Sequence, residues 1–571
     1  MIQGPGGPVV HYRGRPLTGP EPYLSQTRRL PTELREQTLY LIYAPLFGFG
    51  IDAWFPALPA TSAVITVELD AMLADRAVIR PTWTERERCK GTTNADDALR
   101  GASTLIRRLA IRRVESITLS GGARLHRHGY QALKEHIASH IRRFWRNRGT
   151  EVLLGRRWIV NLARNAVCEA RPITELSALF GDRALLAGAG PGLEAVLPTL
   201  RDFFSADREG PRDGTRAVRL VAIDTALPAL ASAGVRPDAV LSLDGQLTNA
   251  RDFLPWRWSE TVLLADATTH FSIVRRFPPD SRFLFVSRFS DVSFFTERIE
   301  RGPAAGTAYT VGDVLTGLPI VAPRGSIAPA AIELLARYGA VTDIVCTGID
   351  FWYRPPATHA RMSSIDRIVR RATDRLHHRD GAARILARPW TEARLRDGRS
   401  VRSDRVLADH AEQMRAVVED AAQRGVTVRH IAAPGLPIST EELSIDEMRR
   451  WCQTVERAGT ERDRATVAGA AGTADGRAPH DAATGRRAAL EALRHRLETV
   501  ERRLKNATLP VTLDAGLEFA LFDLPQWPLA TVKREWMGLH RTRILGCVAD
   551  YRRRIARALR AAGDVTPPAS L

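Results

Sequence analysis

Cysteine is scarce in this chain: Cys89, Cys168, Cys346, Cys452 and Cys547 are the only five among 571 residues. Their number is odd, they lie far apart and none forms a C-x-x-C pair. Neither a disulfide framework nor a structural zinc site is indicated, and a reducing compartment fits. Lysine is rarer still. Of 82 basic residues only Lys90, Lys134, Lys505 and Lys533 are lysine, and arginine is spread along the whole sequence rather than gathered into one run with interleaved aromatics. The formal charge of +18 therefore reads as a compositional bias and not as the footprint of a nucleic-acid binder, although a basic surface attracts small anions or an acidic partner. Long apolar runs are missing too. Residues 39–51 carry no charge, but Pro45, Gly48 and Gly50 interrupt them and Asp52 closes them well short of a span. The first residues, MIQGPGGPVVHYRGRP, lack the basic start and apolar core of a secretory signal. The expectation is a cytoplasmic protein with neither membrane nor nucleic acid as partner.

What is present points to several cores. About three or four domains are expected at this length, and 44% hydrophobic with 26% charged residues matches soluble globular proteins. The most informative stretch is 183–244. An apolar run at 184–189 breaks into Gly188-Ala189-Gly190-Pro191-Gly192, and Leu193, Val196, Leu197 and Leu200 follow at helical spacing. The segment reads as strand, glycine turn, helix. Free N–H groups and partial positive charge at a helix start let such a turn hold a phosphate; the same glycines also serve packing alone. A second strand at 218–223 ends in Asp224-Thr225 and a third at 239–243 ends in Asp244, with a helix between them stopping at Gly234. Gln246 and Asn249 follow, then a strand at 261–265 ending in Asp266, His270 just beyond, and a strand at 282–286. Alternating strands and helices predict an α/β fold whose parallel sheet is covered on both faces. Its C-terminal rim, where ligands bind in open sheets, is expected to carry the glycine turn, Asp224 and Asp244; Asp238 and Asp266 also fall at or near strand ends. Carboxylates there either hold a magnesium diphosphate or cap turns and helices.

Farther on, Gly325-Ser326 opens a helix at 327–338 with Ser326 as its N-cap, a second candidate anion site. A strand at 343–347 runs into Gly348-Ile349-Asp350-Phe351-Trp352-Tyr353, and Thr358-His359 follows Pro355-Pro356. Aromatic faces beside hydrogen-bonding groups suit a sugar or a nucleobase. His359, with His270 as second choice, is the candidate for proton transfer, because imidazole titrates near neutral pH.

Earlier in the chain, residues 38–70 repeat the theme in weaker form. Gly48 and Gly50 precede a short helix around Trp54, and Glu68 and Asp70 follow about 20 positions on, the spacing that holds a ribose in dinucleotide or methyl-donor folds. A third glycine is absent, so an empty Rossmann-like module is the alternative. A strand at 114–119, a helix at 126–148 and an introducing helix at 158–179 come next. Asn161 and Asn165 share a face of the last and read as solvent-facing or capping amides, with a ligand contact as the alternative. Two short polar strands flank 396–399, and a helix at 404–424 and a strand at 426–431 follow. The small-residue stretch 468–485 reads as a disordered linker. Leu490, Leu493, Leu497, Val500 and Leu504 then recur at heptad-like spacing, as in a helical hairpin packed on Ile544 and Val548. The division is an N-terminal Rossmann-like domain at 1–150, a central parallel-sheet domain at 151–445 and a helical C-terminal region at 446–571.

The series GAGPGL, IDTALPALASAGVRPDAVLSLD and RGSIAPAAIELLARYGAVTDIVCTGIDFWYRPPATHAR resembles the motility-associated factor (Maf) family of flagellin glycosyltransferases. The domain they share is also related to an archaeal 6-hydroxymethylpterin diphosphokinase (MptE-like). The first family motif reads GxGPSL and the third begins GGS; here Gly192 replaces the serine of the first and Arg324 the first glycine of the third. The resemblance implies a Rossmann-like, sialyltransferase-like central domain. It also implies transfer of a nonulosonic acid, of the pseudaminic or legionaminic kind, from a CMP-activated donor to Ser or Thr of flagellin. On that reading Gly188, Gly190 and Gly192 hold the phosphate, and Asp224, Thr225, Asp244 and Gln246 meet ribose or sugar hydroxyls. Ser326 donates to the donor's carboxylate or phosphate; Gly348, Asp350 and Tyr353 complete the pocket; His359, with Asp244, carries catalysis. CMP leaves as a phosphate, so helix N-termini stabilise the leaving charge without an obligatory metal, and a part for magnesium stays open. Two alternatives stay open as well. One is an ATP-dependent pyrophosphokinase acting on a hydroxymethylpterin, its magnesium held by carboxylates. The other is a non-catalytic flagellin-binding motility factor, which the missing hydroxyl at Gly192 suits.

Overall fold

The computed structural model describes residues 2–4, 7–12, 14–74, 88–205, 218–254, 260–287, 318–321, 325–353, 358–372, 389–394, 400–431, 435–439, 441–453, 479–506 and 541–563. Arg324, Pro355, Pro356, the turn at 396–399 and residues 468–478 lie outside them. Two compact units divide the chain. The first runs to Arg156 and takes in residues 499–506 and 541–549; the second runs from Arg157 to Glu498 and takes in 550–563. The boundary at Arg156 falls inside a helix, and the two C-terminal helices are shared between the units, so neither boundary coincides with a change in composition.

In the first unit two short antiparallel hairpins come first, β1 (Ile2–Gly4) with β2 (Gly7–Val9) and β3 (His11–Tyr12) with β4 (Arg15–Pro16). Four parallel strands then form a sheet in the order β7-β6-β5-β8, from β5 (Thr38–Tyr43), β6 (Ala63–Val67), β7 (Cys89–Thr92) and β8 (Arg113–Thr118). Alternation along β5 sends Leu39 and Leu41 to one core and Tyr40 and Ile42 to another, so both faces are covered. The helix Ala95–Leu109 starts where Asn94 accepts a hydrogen bond from Asp96 N–H. After β5 the glycine turn leads through Gly50, at φ 83°, into the short helix Ile51–Trp54, and the strand-end loops beside it enclose an apolar cluster of Val10, Leu17, Leu46 and Leu73.

The segments read as separate helices at 126–148 and 158–179 form one 39-residue helix, Arg127–Asn165. It stops where Asn165 turns its amide to the carbonyls of Ala267 and Thr269. Pro172, whose preceding residue is pushed out of the helical region, precedes the 3-10 turn Ile173–Ala178.

The second unit holds an eight-stranded, wholly parallel sheet in the order β13-β12-β11-β10-β9-β14-β17-β18. Its strands are β9 (Arg183–Ala187), β10 (Val218–Ile223), β11 (Ala239–Ser242), β12 (Val262–Asp266), β13 (Arg282–Phe285), β14 (Asp343–Thr347), β17 (Thr427–Ile431) and β18 (Glu442–Leu443); the antiparallel pair β15 (Trp390–Arg394) and β16 (Ser400–Asp404) stands apart from it. Near-continuous apolar runs such as RALLA and VRLVAI mark strands buried on both faces. Leu185 and Ala187 pack on one side with Val196 and Leu200 of the helix Leu193–Phe204, while Ala184 and Leu186 pack on the other with Leu334 and Leu335 of the helix Ile327–Tyr338 and Val417 of the helix Arg405–Gln423. β9 is central: the chain builds β10 to β13 outward on one side of it, then returns to lay β14 on the other. Ligands bind at such a switch point in open α/β sheets.

Residues 479–485, read above as linker, open the helix Pro479–Asn506, and Arg541–Gly563 is the second C-terminal helix. Leu490, Leu493, Leu497, Val500, Leu504, Ile544 and Val548 are all buried. Arg541 Nε donates to Leu504 O at 2.7 Å and Arg552 pairs with Glu498 at 3.8 Å, as in an antiparallel hairpin. Among the described residues no helix is long and apolar enough to cross a membrane.

Glu68, at the end of β6, is fully buried, and burial pushes its carboxyl up to about 7. Ionising it opposes folding, and the penalty grows as pH rises from the ordinary carboxylate range through 7. Glu68→Gln is therefore expected to raise the melting temperature relative to wild type more at about pH 8 than at about pH 5. An equal difference at both, read by thermal denaturation, contradicts this.

Candidate functional site

The site is built where β9 and β14 end side by side. Gly188 N–H donates to Thr347 O (2.8 Å) and Gly190 N–H to Gly348 O (2.7 Å), so two strand-end loops cross with their backbones almost touching. A methyl group on Gly188 would collide with Gly348 O, and one on Gly190 would lie 2.8 Å from that oxygen and strike the Asp350 carboxylate. Gly348 needs its glycine twice over, since its φ is 63° and a Cβ would sit 2.9 Å from Leu193 Cβ. The glycines of both motifs are thus spent on the crossing itself. Asp350 Oδ2 accepts from Gly192 N–H at 2.6 Å, which places a carboxylate where a phosphate was expected, at the start of the helix Leu193–Phe204.

His359 comes to the same place. Ala360 N–H donates to Ala189 O (2.8 Å) and Arg361 N–H to Glu194 Oε1 (2.8 Å), which pins the Thr-His segment onto the glycine turn. The imidazole Nδ1 lies 2.9 Å from Thr358 Oγ1, and burial holds its pKa below the usual histidine value. It stays neutral, and able to accept a proton, to lower pH than a free imidazole.

Asp224 and Asp244 also sit on this rim, after β10 and β11. Asp224 accepts from Asn249 Nδ2 (2.8 Å) and from Thr225 N–H (2.8 Å); its burial pushes the carboxyl up to about 7 despite the bonds from Asn249 and Ser242. Asp244 accepts from Gln246 N–H at 2.9 Å and its backbone carbonyl receives His270 N–H at 3.1 Å. Asp252, which no sequence pattern singles out, joins them. Burial pushes it up to about 6 against a hydrogen bond from Ser364, and the charge of Asp244 adds to the rise. Ser364 follows His359 by one short turn, so this bond ties the carboxylate group to the Thr-His segment.

Other expected residues fall elsewhere. Asp238 lies at the opposite edge of the sheet, where it starts β11 and bonds Leu220 N–H (2.8 Å) and Arg219 (3.3 Å). Asp266 is saturated by Thr268 and Ser287, each giving it a backbone N–H and a hydroxyl. His270 bonds Ser272 Oγ through Nδ1 (2.8 Å) and caps its own short helix; burial, with Arg164 nearby, lowers its pKa. Tyr353 donates its hydroxyl to Asp404 (2.9 Å). Asn161 and Asn165 are not solvent-facing. They are buried and gather four carbonyls, Gly245 and Thr268 for the first, Ala267 and Thr269 for the second, behind the rim.

One regularity emerges. Several rim N–H groups are closed by carboxylates: Gly192 by Asp350, Thr225 by Asp224, Gln246 by Asp244 and Thr268 by Asp266. The helix Ile327–Tyr338 differs. Ser326 has the extended backbone of an N-cap, with φ −131° and ψ 167°, but makes no capping bond, and its Oγ is buried without a partner. Gly325 beside it packs against Gln413 and His410. Gln413 Oε1 and, on the loop after β14, Trp352 Nε1 are likewise buried and unpartnered. Beside Gly325, the Ser326 hydroxyl and the Gln413 amide oxygen thus lie at a helix start with no partner among the described residues, a combination that suits an anion carrying hydroxyls.

Fold and rim together define an open-sheet α/β protein whose candidate site lies at the β9/β14 switch point. The model of the 6-hydroxymethylpterin diphosphokinase MptE-like family matches residues 156–355, the span from the end of the long helix to the loop after β14. The solved structure of a Maf glycosyltransferase from Magnetospirillum magneticum AMB-1 superposes with a TM-score of 0.55 over 98% of this chain and 90% of its own, at 12% identity. The chain thus shares its fold with that Maf glycosyltransferase structure, and its central residues 156–355 match the MptE-like model. An uncharacterized protein of Treponema pallidum (strain Nichols) is 26% identical over 357 residues, 60% of this chain and 57% of the relative, so the match spans little more than half of either.

Gly190→Ala is expected to lower stability by about 2–4 kcal/mol through the clash at the crossing. Gly149→Ala, on the long helix with open space around it, is expected to raise stability by about 0.5–1 kcal/mol. Denaturant melts that rank the two the other way would refute the packing role of Gly190.

Proposed function

We propose that the protein is a glycosyltransferase that moves a nonulosonic acid sugar from a CMP-activated donor to Ser or Thr of flagellin. The carrying observation is the helix start at Ser326, uncapped among the described residues, on a rim where Asp350, Asp224, Asp244 and Asp266 close neighbouring turns. A CMP donor needs one well-placed anion site for its phosphate or sugar carboxylate, and hydroxyl partners elsewhere. Ser326 with the helix Ile327–Tyr338 serves the first need. Asp224, Asp244 and Asp252 serve the second as acceptors from sugar or ribose hydroxyls, with Thr225 and Gln246 held beside them. Gly188, Gly190, Gly192, Gly348 and Asp350 then act as the frame of the pocket and not as its phosphate cradle. His359, neutral and fixed by Thr358, takes the acceptor hydroxyl proton as the glycosidic bond to the donor phosphate breaks. Likeness to the Maf structure supports the class of reaction; sugar and acceptor rest on the motif resemblance.

The match to the diphosphokinase family supports a second reading, diphosphate transfer from ATP to a hydroxymethylpterin. Among the described residues no group of three His, Cys, Asp or Glu side chains is placed to hold a metal ion. In that reaction magnesium would be shared between the rim carboxylates and the diphosphate itself.

Incubating the full chain with CMP-nonulosonates and flagellin is expected to add the sugar's mass to flagellin by intact-mass spectrometry. His359→Ala is expected to cut the rate about 10²–10⁴-fold, and Ser326→Ala to weaken CMP binding about tenfold. No mass gain while an authentic Maf enzyme labels the same flagellin overturns the reading, and tight Mg-ATP binding with indifference to CMP turns it toward the diphosphokinase.

A further inference from the structure

In the second unit several guanidinium groups are answered by the chain itself. Arg282 gives its donors to the carbonyls of Glu169, Val274 and Phe277, and Arg486 Nε donates to Ala166 O at 2.7 Å. Arg219 and Arg429 each leave a buried Nε unpartnered, yet a terminal nitrogen of each pairs with a carboxylate, Asp238 and Asp343. Arg164 does neither. Its Nε is buried without a partner, its terminal nitrogens stay open on a half-buried side chain, and none of them meets an acceptor among the described residues. Buried polar groups are nearly always paired, so this guanidinium is left for an acceptor from outside the chain.

Its surroundings fix it in place. Arg164 stands between Asn161 and Asn165, whose amides fasten the end of the long helix to the rim loops. Its Cζ lies 3.9 Å from the centre of the Phe271 ring, and Arg275 Cζ lies 5.7 Å from the same centre. The His270 ring is 4.6 Å from that of Phe271. Its Nδ1 accepts from Ser272 N–H, so the ring proton sits on Nε2 as a further donor. Arg275 is exposed and also lacks an acceptor among the described residues. Burial and then the charge of Arg275 lower the pKa of Arg164, as burial and then the charge of Arg164 lower that of His270. Like charges gathered at one ring cost stability until an anion joins them.

We propose that Arg164, Arg275 and His270 form a binding site for a phosphate monoester. A carboxylate would neutralise one guanidinium. A phosphate monoester carries about −1.5 to −2 charges at pH 7 and three acceptor oxygens, enough for both, and arginine forks meet phosphate oxygens in pairs. His270 follows β12, the third strand from β9, whereas Ser326 opens the helix that leads into β14 on the other side of β9. The two anion sites are therefore separate, and this one depends on neither reaction considered for the rim.

The test is calorimetric titration of the full-length Ser326→Ala protein, in which the other helix start is weakened, with inorganic phosphate and with acetate. Phosphate is expected to bind at least about tenfold more tightly than acetate, and Arg164→Gln and Arg275→Gln, each added to that protein, are expected to weaken phosphate about tenfold. Arg275 is exposed, so its variant decides the matter should Arg164→Gln fold poorly. The proposal fails if phosphate does not bind, binds no better than acetate, or binds the Arg275→Gln protein as tightly as its parent.

Discussion

The crossing of two backbones where β9 and β14 end governs the rest of the second unit. Gly188 and Gly190 meet Thr347 and Gly348 through main-chain hydrogen bonds, and the absence of side chains lets the loops approach that far. From this fixed point the other parts of the rim take their positions. Asp350 caps the helix Leu193–Phe204, Ala360 draws the Thr-His segment onto Ala189, and Gly435 lies so close that a Cβ would be 2.8 Å from Asp350 O. Widening the crossing by one methyl group would displace all three together.

Around that point the rim trades solvation for fixed dipoles. Asp224 and Asp252 lose water and are pushed upward, toward the neutral form, although amides and hydroxyls are arranged to favour their charge. His359 is pushed the other way by the same burial. Carboxyls that keep protons longer and an imidazole that gives them up earlier stand on neighbouring loops, so burial biases both kinds of group toward their uncharged forms.

Much of the fold was legible in the residues. The strands Val218–Ile223, Asp343–Thr347 and Ala63–Val67 and the helix Ile327–Tyr338 are apolar runs bounded by Asp, Gly or Ser, and local chemistry fixes such limits. The long helix was not, because the polar stretch around Gly149 and Thr150 resembles a break; space along that exposed face lets the helix continue. At the rim, the residues carried by the loops after β9, β10, β11 and β14 were legible from strand ends alone. Their partners were not. GAGPG is as compatible with close backbone approach as with a phosphate cradle, and the deciding Gly348 and Asp350 lie far along the chain. The same holds for Asn161, whose carbonyl partners are 84 and 107 residues away, and for Asp252, which becomes notable only through its burial beside Asp244 and Ser364.

The carboxylates that close the rim turns have a consequence for traffic through the pocket. With carboxylates along the described turns and Ser326 uncapped among the described residues, an elongated molecule bearing an anion at one end would meet repulsion in one sense of entry and attraction in the other. On the proposed function such a rim would act as a polarity filter: it would select the orientation of what enters before any shape is read, and a product that has lost its charged end would lose its reason to stay.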